Sequence, residues 1–182
     1  MKKTLSLCFL LVLFIKSYAQ GQEAKLFPVV DSNVVYQKII DVEGKDKTAI
    51  HLLAFNWIID NFDDREKITD ELANSQSVYK VKVPVDIYTV QFYIQIDSKD
   101  NKYKYSFYNI KHTVTGKDEN SFFAKYLVNV TAATDNSIVK GEGKYSKGQR
   151  KNAQKTIILI DEMINKYINS LNEAVSRKAA SF

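Results

Sequence analysis

The sequence predicts an α+β fold in which an antiparallel sheet of about five strands carries two helices on one face, in the order β-α-β4-α. Three runs within residues 78–112 alternate apolar and polar side chains, which is the pattern of strands with one buried face. Two other segments repeat apolar residues at helical spacing, one before these runs and one at the end of the chain. Apolar faces of sheets and helices are buried against each other, which gives the two-layer architecture.

The first 19 residues are predicted to be a secretory signal peptide. Two lysines precede an apolar stretch at residues 5–15, which is too short to span a bilayer as a helix. Small residues follow, and cleavage after Ala19 leaves Gln20 as the first residue. Cys8 lies near the start of the apolar stretch and not after it, so no lipid anchor is expected. The alternative interpretation is an N-terminal membrane anchor.

Removal of this segment changes both the charge and the cysteine content of the chain. The formal net charge of all 182 residues is +5, but the first 19 residues hold three lysines and no acidic residue. The rest of the chain holds 23 basic and 21 acidic residues, and so small an excess is weak support for a polyanionic partner. The single cysteine leaves with the signal peptide, which excludes disulfides, a cysteine nucleophile and thiolate metal sites in the exported chain.

The domain is predicted to begin with a strand and a helix. Residues 33–42 are rich in Val, Ile and Tyr, which favour strands. The helix is predicted at residues 46–62, with Asp46 or Thr48 as its N-cap. Its core-facing side chains are predicted to be Ile50, Leu53, Ala54, Trp57 and Ile58.

A meander of strands follows. The predicted strands lie at residues 67–72, 78–85, 88–96 and 102–112. Pro84 with Asp86 supplies one turn between them, and residues 98–101 supply the next. The predicted core side chains are Val90, Phe92, Ile94, Ile96, Tyr103, Tyr105 and Phe107. The side chains predicted to face water are Thr89, Gln91, Tyr93, Gln95, Lys102, Lys104, Ser106 and Tyr108.

The remaining segments complete the domain plan. Residues 115–150 are predicted to be an irregular connection, with a candidate edge strand at residues 122–130. A long amphipathic helix is predicted over residues 151–176 because apolar residues recur there at helical spacing. Its apolar stripe consists of Ile157, Ile160, Ile164, Tyr167, Ile168, Leu171 and Val175. Residues 20–32 are a predicted leader, so one domain is expected over residues 33–182.

Several segments share features with a known protein family. They are the first strand with Tyr36, the Gly44 turn, Asp46-Lys47-Thr48, residues 54–57, residues 88–96, the turn at 97–101, Lys102-Tyr103-Lys104-Tyr105 and Asn109-Ile110. Over about residues 33–114 the chain resembles an uncharacterised family of exported Bacteroidetes proteins, described as a domain of unknown function with a TBP-like (TATA-binding-protein-like) fold. Such proteins have an Arg-Tyr-Arg-Tyr-like strand after the charged turn, where this chain has lysine. The resemblance implies a fold and an exported location, and it implies no catalytic residues.

No catalytic or metal-binding constellation is apparent in the sequence. His51 and His112 are the two histidines, and neither belongs to the HxH or HxxxH pairs that are typical of zinc sites. Asp60, Asp63 and Asp64 form an acidic cluster without the central glycine of a calcium loop, which favours a solvated helix end. No metal and no cofactor are therefore expected, and the protein is not expected to be an enzyme.

The candidate binding residues fall into two groups. They are Tyr93, Lys102, Lys104 and Tyr108 on the water-facing side of the sheet, and Lys144, Lys147 and Arg150 in the glycine-rich segment 141–151. This segment is interpreted either as an anion site ahead of the last helix or as a linker. Nucleic acid is not an expected partner, because Tyr103, Tyr105 and Phe107 are assigned to the core and export separates the protein from nucleic acid.

These features favour a non-enzymatic binding module in the periplasm or outside the cell, whose partner is a protein, a peptide or an envelope component. Two alternatives stay open. One is an envelope hydrolase whose carboxylate or serine site the sequence does not reveal. The other is a structural subunit that assembles through a strand edge or the C-terminal helix. In that case, deleting residues 164–182 is expected to abolish oligomers and to leave the fold intact.

Overall fold

The computed structural model describes residues 27–31, 33–71, 75–114, 128–129 and 147–177. The strands are β1 (Val29–Val30), β2 (Asn33–Val34), β3 (Tyr36–Asp41), β4 (Arg65–Glu71), β5 (Gln76–Val85), β6 (Tyr88–Lys99), β7 (Lys102–Val114) and β8 (Val128–Asn129). The helices are α1 (Lys47–Asn61) and α2 (Lys147–Ser176). The main sheet is antiparallel in the order β3-β7-β6-β5-β4, and β8 also pairs with β7. The predicted α+β fold, a five-stranded antiparallel sheet with two helices, is thereby confirmed.

The hydrophobic core lies between one face of the sheet and both helices. All seven core residues predicted on β6 and β7 are at most 5% exposed. The buried apolar residues of α1 are Ile50, Ala54, Trp57 and Ile58, and those of α2 are Ile157, Ile160, Ile164, Ile168, Leu171 and Val175. Aromatic rings join the two layers, since Phe62 after α1 contacts Phe92 of β6 at 6.1 Å and Tyr167 of α2 at 4.7 Å between ring centroids.

Three hydrogen bonds fix the position of α2 on this core. The Tyr36 hydroxyl of β3 donates to Asp161 at 2.6 Å, and the Tyr103 hydroxyl of β7 donates to the Asn172 side chain at 2.6 Å. Burial of the Tyr36 hydroxyl, together with its bond to the Asp161 carboxylate, raises the pKa of Tyr36. The Trp57 indole N–H donates to Ser170 at 3.0 Å. These polar ends are satisfied although the rings are buried, so α2 has one defined orientation.

Local sequence explains the start of α1 and the turns of the β5–β6 and β6–β7 hairpins. The side chain of Asp46 accepts a hydrogen bond from the Ala49 N–H at 2.7 Å, which confirms Asp46 and not Thr48 as the N-cap. Each hairpin has a two-residue turn that contains an aspartate or asparagine with positive φ, Asp86 at 54° and Asn101 at 62°. These residue types tolerate the left-handed conformation that such tight turns use.

Pro84 differs from its predicted role as a turn residue, because it belongs to β5 and pairs with Thr89 of β6. A proline lacks the N–H that a central strand uses for pairing. It fits here because β4 pairs with β5 only as far as Val81, so Pro84 has no strand on its other side.

A β-bulge in β7 shifts the side-chain alternation. The pairing with β6 changes register between Gln91 and Tyr93, and Asn109 of β7 has φ of 53°. Phe107 and Ile110 therefore both face the core, three residues apart, and are 0% and 2% exposed. The predicted uninterrupted alternation over residues 102–112 is therefore wrong at Asn109.

The packed structure begins earlier than the predicted domain start at residue 33. Phe27 is 2% exposed, and β1, which lies within the predicted leader, pairs with β2. The last helix also begins earlier than predicted, at Lys147 in place of residue 151. Of the predicted edge strand at residues 122–130, only β8 lies within the described residues.

Candidate functional site

The face of the main sheet opposite the helices is called the open face, because none of the described elements packs on it. Its side chains come from alternate residues of the strands, and cross-strand pairing places them in rows. The predicted residues Tyr93, Lys102, Lys104 and Tyr108 all lie on this face. Ser106 lies there too, but it is only 8% exposed, because its neighbours on the strands cover it.

Tyr93 of β6 and Tyr108 of β7 form a stacked pair near the middle of the open face, called the tyrosine pair. The two residues are direct cross-strand partners, with ring centroids 5.5 Å apart and ring planes at 25°. Partial burial raises the pKa of Tyr108, and the neighbouring Tyr93 and Asp97 add to this effect. Partly exposed aromatic rings beside polar groups are typical of protein recognition surfaces.

Lysines on the β4 side of the open face are paired with carboxylates. Lys80 contacts Glu66 at 2.7 Å, and Lys82 lies 3.9 Å from Asp64. The hydrogen bond from Lys80 lowers the pKa of Glu66, and the same bond raises the pKa of Lys80. Because Glu66 is exposed and Lys80 is partly exposed, water and salt screen this interaction.

A cavity of about 180 Å³ lies on the other side of the face, near the β6–β7 turn, and is called the lysine hollow. It is lined by Ile39, Asp97, Lys99, Lys102, Tyr103 and Lys104. The Asp97 carboxylate accepts hydrogen bonds from the Gln76 amide at 2.7 Å and from the Gln95 amide at 3.0 Å. None of the three lysines forms an ion pair within 4 Å with any residue that the structure describes.

The turn beside the lysine hollow is anchored to the loop that precedes α1. The Asn101 side chain accepts from the Gly44 N–H at 2.9 Å, and the Asp100 side chain accepts from the Lys47 N–H at 2.8 Å. Backbone bonds add to these, from Asn101 to Lys45 and from Val42 to Asn101. Gly44 has φ of 75°, a left-handed conformation that suits glycine. The strand ends that carry the lysines are therefore held rigidly.

The second group of predicted binding residues is not brought to this face. Lys147 is exposed in the first turn of α2, and Arg150 belongs to the same helix. Lys144 lies outside the described residues. Since α2 packs on the opposite side of the sheet, the structure separates Lys147 and Arg150 from the tyrosine pair.

Sequence reasoning missed Ile39, Asp97 and Lys99 as parts of the site. Ile39 is 63% exposed and opposes Lys104 in the β3–β7 register. The strand pattern of residues 33–42 does not reveal this neighbour, because β3 pairs with a strand about 65 residues later in the chain. Lys99 and Asp97 could have been found from the alternation of β6, which continues to the turn.

Both histidines lie on the helix side of the sheet. His51 is 4% exposed within α1, and His112 of β7 opposes the core residue Val90. Burial lowers the pKa of His112, whose ring meets Tyr88 edge-on at 5.4 Å between centroids.

Among the described residues, no group of three or more His, Cys, Asp or Glu side chains is placed to hold a metal ion. Neither described helix is long and apolar enough to cross a membrane.

Two larger hollows lie on the helix side. One, of about 580 Å³, is lined by residues of α2 alone, from Asp161 to Glu173. The other, of about 480 Å³, lies where the ends of α1 and β5 meet α2 and includes Asp60, Met163 and Tyr167. Neither contains any of the predicted binding residues.

Comparison with known proteins identifies the domain that carries the open face. Residues 36–113 match the sequence profile described as "Domain of unknown function (DUF4468) with TBP-like fold". The chain contains a DUF4468 domain. The matched segment runs from the start of β3 almost to the end of β7, so it includes the tyrosine pair and the lysine hollow. Helix α2 lies beyond the match. The predicted resemblance is confirmed.

Solved structures share the fold of this chain. A TBP-like protein from Parabacteroides distasonis ATCC 8503 superposes with a TM-score of 0.62 at 12% identity, covering 85% of this chain and 99% of its own. A DUF4468 family protein from Bacteroides ovatus ATCC 8483 superposes with a TM-score of 0.53 at 16% identity, covering 87% and 95%. No curated protein matches the sequence. At these identities the likeness is one of fold.

Proposed function

We propose that this DUF4468 protein is a non-enzymatic, exported binding module whose ligand surface is the open face of the sheet. The observation that carries the proposal is the partly exposed tyrosine pair beside three lysines that form no ion pair with the described residues, on a face that no described element covers. Aromatic and cationic side chains together give contact area and directed polar contacts at low conformational cost. The partner is an envelope protein or a peptide.

The position of the histidines supports a binding role over a catalytic one. His51 and His112 are the usual acid–base candidates, and both lie behind the sheet, away from the tyrosine pair. The Asp97 carboxylate on the open face is held by two glutamine amides. Both oxygens of this carboxylate are therefore already occupied by amide donors.

Export is expected to yield a chain that begins at Gln20. The residues before it have the composition of a signal peptide, and the three lysines and the cysteine within them are lost on cleavage. N-terminal sequencing of the protein isolated from the envelope or medium of its bacterium measures this directly. A chain that still begins at Met1 and sediments with membranes would instead indicate an uncleaved anchor.

The proposed ligand surface is tested by affinity capture from an envelope extract of the bacterium. The tagged chain from Gln20 onward is compared with a Tyr93→Ala/Tyr108→Ala double variant, and bound proteins are identified by mass spectrometry. We expect the double variant to lose the specific partner, because both rings are removed from the centre of the face.

The matched control is Leu52→Ala, which removes an exposed apolar side chain from α1 on the opposite side of the sheet. This variant is expected to capture the same partner as the wild type. Equal capture by the wild type and the double variant, with both proteins folded, would show that the open face is not the ligand surface.

A further inference from the structure

The lysine hollow contains a concentration of positive charge that no ion pair with a described residue neutralises. Lys99 and Lys102 are direct cross-strand partners, and Lys104 is the next residue on the same face of β7. Like charges directly opposite one another destabilise a sheet. Asp41 opposes Lys102 in the β3–β7 register, but the two form no ion pair within 4 Å. An anion bound among the three ammonium groups would offset their repulsion.

The carboxylate that lines the hollow, Asp97, is already engaged. Both oxygens of Asp97 accept hydrogen bonds from the glutamine amides of neighbouring rows, Gln76 and Gln95. Asp97 therefore does not hold any of the lysines in an ion pair. Its negative charge still limits how much further negative charge the hollow accepts. A single carboxylate matches this balance better than a multiply charged group does.

Size and lining also favour one small group with an apolar neighbour. A volume of about 180 Å³ is well below the ~300–1,000 Å³ of pockets that enclose whole small-molecule ligands. Ile39 forms an apolar wall and is 63% exposed, which leaves it free to contact a ligand. The hollow is thus a subsite for one side chain or chain end of a ligand that extends over the face.

The direction of that extension follows from the rows of the sheet. The row of Lys104 and Asp97 lies four residues along β6 from the tyrosine pair, or about 13 Å at the rise of a strand. Gln37, Ser106 and Gln95 form the row between them. An extended peptide covers the same distance in about four residues, and the exposed Gln37 amide of the intervening row is a suitable partner for its backbone.

We propose that the open face binds an extended acidic peptide, with one carboxylate in the lysine hollow and a large apolar side chain on the tyrosine pair about four positions away. This inference rests on the proposed function and names the class of its ligand. The ligand loses the hydration of one carboxylate and gains charge-assisted contacts with ammonium groups that form no ion pair within the described part of the chain.

The test uses fluorescently labelled synthetic peptides and the folded chain from Gln20 onward. Each peptide carries one phenylalanine and one aspartate separated by one to six serine or glycine residues, and each has a twin with asparagine in place of aspartate. Fluorescence anisotropy measures binding up to about 1 mM peptide, which detects weak complexes. We expect the aspartate peptides with a spacing of about four positions to bind five- to tenfold more tightly than their twins, and the difference to shrink as salt is raised.

Three charge variants assign this preference to the lysine hollow. Lys102→Gln/Lys104→Gln is expected to abolish the preference for aspartate, while Asp41→Asn is expected to strengthen it because a competing carboxylate is removed. The control Lys111→Gln removes one positive charge from the same strand and face, in the row of Gln91 and far from the hollow, and is expected to change nothing.

Equal binding of aspartate and asparagine peptides, or no binding of any peptide at the highest concentration, overturns the inference. So does an equal loss in the Lys111→Gln variant, which would indicate a diffuse charge effect. Tighter binding of inorganic phosphate than of any peptide, lost in the Lys102→Gln/Lys104→Gln variant, also overturns it in favour of a phosphate ligand. In each case the proposed function still stands if Tyr93→Ala/Tyr108→Ala loses its captured partner, so the two failures are distinguishable.

Discussion

Deletion of residues 164–182 is expected to abolish folding of the domain. The deleted part of α2 contains Ile164, Ile168, Leu171 and Val175, each at most 7% exposed. Burial of an aliphatic side chain stabilises a fold by about 1.5–3 kcal/mol, so four of them contribute roughly 6–12 kcal/mol. This is comparable to the whole stability of a typical domain, about 5–15 kcal/mol. The deletion also removes Asn172, which accepts the hydrogen bond of the buried Tyr103 hydroxyl.

Circular dichroism and limited proteolysis of the truncated chain measure the loss. A chain that ends at Arg177 is the matched control, because it keeps all of α2 and should fold normally. A cooperative unfolding transition in the longer deletion would contradict the central place of α2 in the core. Because the deletion removes core residues, it is not expected to leave the fold intact, and it cannot serve as a test of assembly. Assembly through the helix has to be tested with point variants on its exposed side.

Trp57→Ala is expected to lower the free energy of unfolding by about 3–5 kcal/mol. The indole is 4% exposed, meets Phe62 edge-on at 5.4 Å between centroids, and donates to Ser170 of α2. The substitution leaves a cavity at the junction of α1, α2 and the sheet, and it leaves the Ser170 hydroxyl without its donor. Urea denaturation at pH 7 measures the change.

Leu52→Ala on the same helix is the control for this measurement. Leu52 is 49% exposed, and exposed substitutions usually change stability by no more than about 0.5 kcal/mol. A loss below about 1 kcal/mol for Trp57→Ala, or an equal loss for the two variants, would contradict the packing described here.

The parts of the fold that depend on local patterns are predictable from the sequence. The alternation of β6 assigned every core residue correctly, and Asp46 was identified as a cap because the residue type and its position fit the motif. The bulge at Asn109 was not predictable, since no residue type requires it and only pairing with β6 reveals it. The early start of α2 was not predicted because residues 147–150 carry no apolar stripe in the sequence.

The candidate site was predictable only in part, because its arrangement depends on pairing between strands. Tyr93, Lys102, Lys104 and Tyr108 were placed on one face by alternation alone. Their arrangement into a stacked pair and a separate lysine hollow depends on cross-strand register. The exposure of Ile39 depends on pairing between β3 and β7, which are far apart in sequence. Lys147 and Arg150 were grouped with these residues by charge, but they belong to a helix on the other side of the sheet.

Site-specific photocrosslinking in the living bacterium measures whether a partner binds the open face. Tyr93 is replaced by p-benzoylphenylalanine in one strain, and Leu52, on the helix side, is replaced in another. We expect a discrete crosslinked product from position 93 and none from position 52. A product from position 52 without one from position 93 would place the partner on the helices and contradict binding at the open face.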